Sequence, residues 1–326
     1  MNDLHFTILI ASIAAGAAPI VLAALGETIS EKAGVINLSL DGSILLSAMV
    51  AFATAYQTHN IFLGFLTGAA TGGLVACVVG IFSIYLGQSQ VAVGFVLTLT
   101  ARDLAYFFGN PYSRIYGPQA DLWPIPFLHD IPFFGPVFFQ HSAPVYLSML
   151  LIFMCWWYLY RTPMGLCLRA VGENPGAAYA RGANTRKIQM WYTIMGGLMI
   201  GLAGATFSLC IKPGWGRPQG AEGTGWIALA IVIFGGWHPV KAAMGAYLFA
   251  FLQVMGIQLQ GMFPSIPAQV FQVAPFPLMI FTLVLTHVAQ KGSVYRIGEP
   301  TSIFRRILNL LSTSPPAALG KPFRPD

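Results

Sequence analysis

The chain has 326 residues, of which 56% are hydrophobic and only 9% charged, where soluble domains carry about 25% charged residues. That balance excludes a soluble enzyme and points to an integral membrane protein with no sizeable soluble domain. The formal charge of +6 sits in one internal loop and in the C-terminal tail, so membrane topology and contact with anionic lipid explain it better than nucleic acid does.

Apolar runs of about 20 residues leave room for eight to ten spans. The expected fold is all-α, a polytopic transmembrane helical bundle of about nine spans with some short or discontinuous helices. The first span covers Phe6 to Leu25 and ends at Gly26, followed by the polar stretch Glu27 to Lys32. Its start lacks a cationic leader, so it reads as a span and not as a cleaved signal.

The second segment, AGVINLSLDGSILLSAMVAFATAY, carries Asn37 and Asp41 in its first half. Polar groups at that depth are expensive unless they face protein or water, so the segment is expected to line an interior. Asn37 lies four residues before Asp41, which on one helix places both on the same face. Asp41 is then either satisfied locally or used in solute contact or proton coupling.

A third span, Ile61 to Leu86, contains Gly64, Gly68, Gly72 and Gly73, which let helices approach closely. The fourth, Val91 to Phe108, contains Arg102 and Asp103. Helix neighbours point about 100° apart, so the two need not pair, and snorkelling from the outer end of the span accounts for them. Residues 109–143 hold six prolines between Pro111 and Pro136, which break every run. Their aromatics suit a membrane interface, and the segment is expected to be an extracytoplasmic loop.

Span five, Pro144 to Tyr160, leads into a polar island, RTPMGLCLRAVGENPGAAYARGANTRK, residues 161–187. It sets Arg161, Arg169, Arg181, Arg186 and Lys187 against the single carboxylate Glu173, which predicts a cytoplasmic loop. Asn174 can cap a short helix over Ala177, Ala178, Tyr179 and Ala180, with Pro175 in its first turn. Such a helix invites a partner that grips it.

Span six, Ile188 to Ile211, is followed by IKPGWGRPQGAEGTG and then by Trp226 to Gly235. The apolar part reaches barely about 21 Å of helix against a core of about 30 Å. It must tilt, be joined by ordered flanking backbone, or re-enter, so whether residues 223–236 fully cross stays open. Span eight runs from Val240 to Gly261 and span nine from Ala268 to Ala289.

The transmembrane body is therefore 1–290 and the basic cytoplasmic tail 291–326, with Lys291, Arg296, Arg305, Arg306, Lys321 and Arg324. An even number of crossings between island and tail puts both on one side, and five spans before the island put the N-terminus outside.

No stretch matches a phosphate-cradling loop, a zinc spacing or a nucleophile elbow, and neither catalytic residues nor a cofactor or metal is expected. The six histidines stand isolated, and the four cysteines have no paired spacing and read as small core thiols. Trp215, Trp226 and Phe234 could stack on a flat or ringed solute, though interfacial girdle residues look the same.

Three blocks carry a resemblance. GVINLSLDGSILLSA resembles the GVxNLGxEGxMLxGA signature of inner-membrane permease subunits of ATP-binding-cassette (ABC) importers for simple sugars, nucleosides and related solutes. The island is similar to that family's FGLxLRAVGENPxAAxxxGI segment, and WIALAIVIFGGWHPVKAAMGAYLFAF to its GFxxIAVALLGxxxPxGxxxxALLFG block. They fall in the expected order across residues 34–251. Asp41 stands where Glu is usual, Ser39 where Gly is usual and Met164 where Phe is usual, which leaves the solute open. The start resembles the shorter of two sibling permeases in nucleoside-type systems.

The resemblance implies a permease subunit without its own ATPase site, in a bacterial inner membrane, moving a nucleoside, purine or simple sugar. It implies three partners: an ABC ATPase subunit, a second permease, similar or identical, and an extracytoplasmic solute-binding protein. ATPase coupling would fall to Arg169, Gly172, Glu173, Asn174, Pro175 and Ala178, and the solute pathway to Asn37, Asp41, Trp226 and Phe234. An ion- or proton-coupled secondary transporter is the alternative, in which Asp41 would be indispensable.

Overall fold

The computed structural model describes residues 2–262, 277, 284 and 314–323. The predicted ninth span, Ala268 to Ala289, and the tail residues Lys291, Arg296, Arg305, Arg306 and Arg324 lie outside the described residues. Among the described residues every regular element is a helix, with two isolated bridges, Ser113 to Trp215 and Leu122 to Ser142. In chain order these are α1 (Asn2–Lys32), α2 (Leu40–Thr58), α3 (Ile61–Gly80), α4 (Gln90–Gly109), α5 (Phe134–Phe138), α6 (Ala143–Arg161), α7 (Pro163–Glu173), α8 (Pro175–Ala180), α9 (Thr185–Thr206), α10 (Thr224–Phe234) and α11 (Pro239–Met262). Six of them, α1, α3, α4, α6, α9 and α11, are long and apolar enough to cross a membrane.

The centre of the bundle is a stack of close helix crossings. Without water between helices, association in lipid depends on van der Waals contact, which small residues maximise. A Cβ at Gly26 of α1 would stand 2.5 Å from the Gly196 carbonyl oxygen of α9, and one at Gly72 of α3 would meet the Gly201 nitrogen, also at 2.5 Å. The α1 and α9 helices meet through Gly26 and Gly196, and α3 and α9 through Gly72, Gly197 and Gly201.

Gly26 therefore does not end the first span. The helix runs on through Lys32, because Glu27 (0% exposed) and Glu31 (3%) are buried and hydrogen-bonded by protein instead of facing water. A second correction follows. Residues 33–39 are not helical and α2 begins only at Leu40, so Asn37 does not share a helix face with Asp41.

The neighbours Arg102 and Asp103 come together in the structure. The Arg102 Nε donates to Asp103 Oδ1 at 3.3 Å, so the neighbours do pair, their flexible stems closing the angle between them. Residues 109–143 contain no long helix, only a 3-10 turn at Asn110–Tyr112 and the five-residue α5, as their prolines dictate.

Candidate functional site

Two helix starts meet inside the bundle. Gly225, in the first turn of α10, has no side chain, and a Cβ there would overlap the Leu40–Asp41 backbone at the start of α2. The Gly225 N–H donates to Asp41 Oδ1 at 3.1 Å, filling one of the donors that a helix start leaves open. The Asp41 side chain is buried, and its carboxyl group sits at the positive end of α10. With eleven residues, α10 reaches about 16 Å, roughly half a bilayer core.

Beside this junction the non-helical segment before α2 is held by side chains. The Asn37 N–H donates to Glu27 Oε1 at 2.9 Å, and Asn37 Oδ1 accepts from the Ser39 N–H at 3.1 Å and the Ser39 hydroxyl at 2.5 Å. Thr98 of α4 donates its hydroxyl to the Leu38 carbonyl at 2.6 Å, and Gln90 Oε1 accepts from the Ile36 N–H at 2.8 Å.

The segment 212–223 approaches the junction from the end of the bundle away from the island. Glu222 gathers it: its carboxylate accepts from the Tyr106 hydroxyl and from the amides of Gln219 at 2.8 Å and Gly220 at 2.6 Å. Gln219 accepts from the Gly216 N–H and donates to the Gly214 carbonyl, both at 2.9 Å. The Arg217 guanidinium lies 4.7 Å from the centre of the Tyr106 ring, and Trp215 packs on the same ring at 6.0 Å. A pocket of 300 Å³ opens here, lined by Arg114, Tyr116, Lys212, Trp215 and Gln219 among others. Its rim is cationic and aromatic, suited to a polar or ringed solute.

Of the residues expected along a pathway, Asp41 lies at the junction and Trp226 follows Gly225 beside it, partly exposed. Asn37 is bonded to Glu27 and Ser39 instead of to Asp41. Phe234 lies at the far end of α10, about 12 Å along the helix, near Gly245 of α11.

At the island end α8 forms as the residues predict. Asn174 Oδ1 accepts from the Ala177 N–H at 2.9 Å, and Pro175 occupies the first turn. Ala178 is buried, and its carbonyl takes the Ala183 N–H at 3.0 Å; the Pro175 carbonyl takes the Thr185 hydroxyl at 3.2 Å. Gly172 packs where a Cβ would overlap the Lys32 carbonyl, and its own carbonyl accepts from the Ala318 N–H at 3.1 Å. Glu173 Oε2 accepts from the Ala317 N–H at 3.1 Å. The tail residues 314–323 thus lie against the island.

A chain of contacts joins the island to α10. Arg169 of α7 lies 5.0 Å above the Tyr160 ring, and Tyr160 stacks on His238 at 5.1 Å. His238 sits in the turn between α10 and α11, and the preceding Trp237 donates its indole N–H to Glu31 of α1. Burial, with the charges of Lys241 and Lys32, holds the His238 imidazole below its ordinary pKa.

The family of branched-chain amino acid transport system permease components matches residues 9–283. The chain belongs to that family. The permease is 38% identical over 247 residues to a Haloferax volcanii protein named as a glucose ABC transporter permease, TsgC13, covering 74% of this chain and 75% of that one. It is 33% identical to the guanosine ABC transporter permease protein NupQ of Bacillus subtilis, over 82% of this chain and 88% of the relative. Against the nucleoside ABC transporter permease protein NupC of Lactococcus lactis it is 30% identical, over 85% and 92%. No solved structure matches it significantly. The permease is therefore a multi-pass transport component of an ABC transporter, a class that implies a separate ATPase and a solute-binding protein.

Sequence reasoning missed Glu27, Glu31, Tyr106 and Glu222. The first two stand four residues apart, which on a helix puts both carboxylates on one face, but nothing in the sequence marks that face as buried. Tyr106 and Glu222 are 116 residues apart and carry no signal.

Proposed function

We propose that the permease imports a nucleoside, purine or simple sugar across the inner membrane, energised by an ABC ATPase that grips α7 and α8. The single observation that carries this reading is the junction of α2 and α10 at Asp41 and Gly225, tied through α10 and the Tyr160–His238 stack to the island. Discontinuous helices meeting at a polar junction are the usual setting of a solute site in membrane transporters. The solute class rests on the glucose, guanosine and nucleoside permeases that resemble the chain.

In this reading α2, and the segment 212–223 joined to α10, add crossings to the six long helices of the described residues. The island and tail face the cytoplasm and the N-terminus faces outward. The binding protein delivers solute onto residues 109–143 and the cationic pocket of Arg114 and Lys212. ATP-driven movement of Arg169, Gly172, Glu173, Asn174, Pro175 and Ala178 is passed to α10, and access to Asp41 and Trp226 switches sides. A second permease completes the path; two differently named guanosine permeases of one organism, NupQ and NupP, both resemble this chain, which favours a related sibling in that place.

Reconstitution in proteoliposomes with the ATPase, sibling permease and binding protein tests the reading. Labelled guanosine or glucose is expected to accumulate only with ATP. Accumulation driven by a proton or sodium gradient without ATP would make the protein a secondary carrier and end the proposal.

A further inference from the structure

The α4 helix is poorly covered by its own chain. Only 22% of its most apolar stretch is buried in the bundle, the smallest share among the six long apolar helices. It turns inward a narrow row of small and polar residues, Gly94, Thr98, Ala101 and Ala105, against α2. The other side presents Val96, Leu99, Asp103 and Phe107, spaced three or four residues apart and so lying along one face.

That face is not built for lipid. Its long apolar stretch is Gln90–Tyr112, and Arg102 lies about 18 Å from one end and about 15 Å from the other. The Arg102–Asp103 pair thus falls inside the apolar stretch, with 42% and 72% of its side-chain surface exposed. Within an apolar span charged groups persist only against protein or water. Snorkelling serves Arg or Lys near a helix end, and neither condition holds for Asp103.

We infer that the exposed face of α4, centred on Arg102 and Asp103, is the seam at which a second permease of the same fold packs. This rests on the reading of the chain as one of two permeases and adds the surface they share. A cation and an anion side by side on one helix are self-complementary about a two-fold axis, so that Arg102 of one subunit meets the acid of the other when the second permease carries the same pair. The seam continues into an apolar groove of 410 Å³ between α3 and α4, lined by Val78, Phe82, Ala92, Val93 and Val96 among others. The same α4 carries Tyr106, which holds Glu222, so the seam runs beside the junction of α2 and α10.

The test uses the complete transporter in its membrane. A photo-crosslinking phenylalanine derivative replaces Leu99, and in a control replaces Trp157 on the exposed side of α6. An adduct with the mass of two permeases is expected from position 99 and none from position 157. Asp103→Lys in addition is expected to reduce the position-99 adduct at least tenfold, with the helical content and the yield of the membrane-inserted subunit unchanged. Adducts with lipid alone, with the ATPase or with the binding protein overturn the seam, as does an adduct indifferent to Asp103→Lys. ATP-driven uptake by the parent complex is measured in the same membranes. Loss of the adduct with intact uptake removes only the seam, whereas absent uptake removes the importer reading.

Discussion

Asp41 spends one carboxylate oxygen on the Gly225 amide, a contact a neutral amide side chain can also make. Asp41→Asn is therefore expected to keep the junction and most ATP-driven uptake. Asp41→Ala leaves the Gly225 donor unsatisfied in a buried site and is expected to cost about 1–3 kcal/mol. Both are read by uptake and by thermal unfolding in detergent. Loss of uptake in Asp41→Asn as complete as in Asp41→Ala would favour a carboxylate that carries protons.

His238 gives a pH prediction with a definite sign. Its folded pKa lies below the ordinary value of about 6.5, so the folded state binds this proton less readily than the unfolded one. The contribution is intact above about 6.5 and is lost as pH falls below it. Moving from about pH 7.5 to about 5.5 should lower the unfolding midpoint of the parent more than that of His238→Gln. Equal shifts would show that the stack on Tyr160 does not feel the proton.

The residue scale is also where the sequence is least legible. Asp41 stands out because an acid in an apolar run is expensive, but its partner lies 184 residues away. Glu27 and Glu31 look like the water-facing end of a span, because hydropathy assigns every carboxylate to water, and only tertiary contacts reveal that these two are buried.

Among elements, α8 has six residues, too few to be stable alone, so its shape depends on its cap and its packing. The cap was legible, since Asn followed by Pro is a local signal for a helix start, whereas the docking of Ala317 and Ala318 on Glu173 and Gly172 was not. The eleven-residue α7 was also missed, although Leu168, Val171 and Gly172 face inward at helical spacing. Its short period lies hidden among the cations that mark the island as a loop. Replacing Glu173 and Asn174 together by Ala removes the cap and the tail contact. Loss of the cap alone is expected to cost about 0.5–2 kcal/mol locally. Uptake should fall and ATPase activity should no longer respond to loaded binding protein, while the subunit still inserts in the membrane. Normal stimulated uptake by this variant would remove α8 from the coupling path.

At the scale of the whole molecule, two regions differ in how much room they leave for motion. The crossings of α1, α3 and α9 at Gly26, Gly72, Gly196, Gly197 and Gly201 are backbone-to-backbone contacts with no space for a methyl group, which suits a fixed frame. The α4 and α10 helices lie beside that frame, one thinly covered and the other short, and both meet α2 near Asp41. The proposed import cycle would need this division, since a frame that yielded would dissipate a displacement of the island before it reached α10. Two glycine variants in long helices measure the difference. Gly72→Ala forces a methyl group into the Gly197 and Gly201 backbone and is expected to cost about 1–3 kcal/mol, read as a lower unfolding midpoint. Gly16→Ala, in α1 with nothing within 4 Å of the new methyl, should leave the midpoint unchanged or raise it, as removing a helical glycine is worth about 0.5–1 kcal/mol. If both variants behave alike, the glycine crossings do not form the frame, and the movement cannot be confined to α4 and α10.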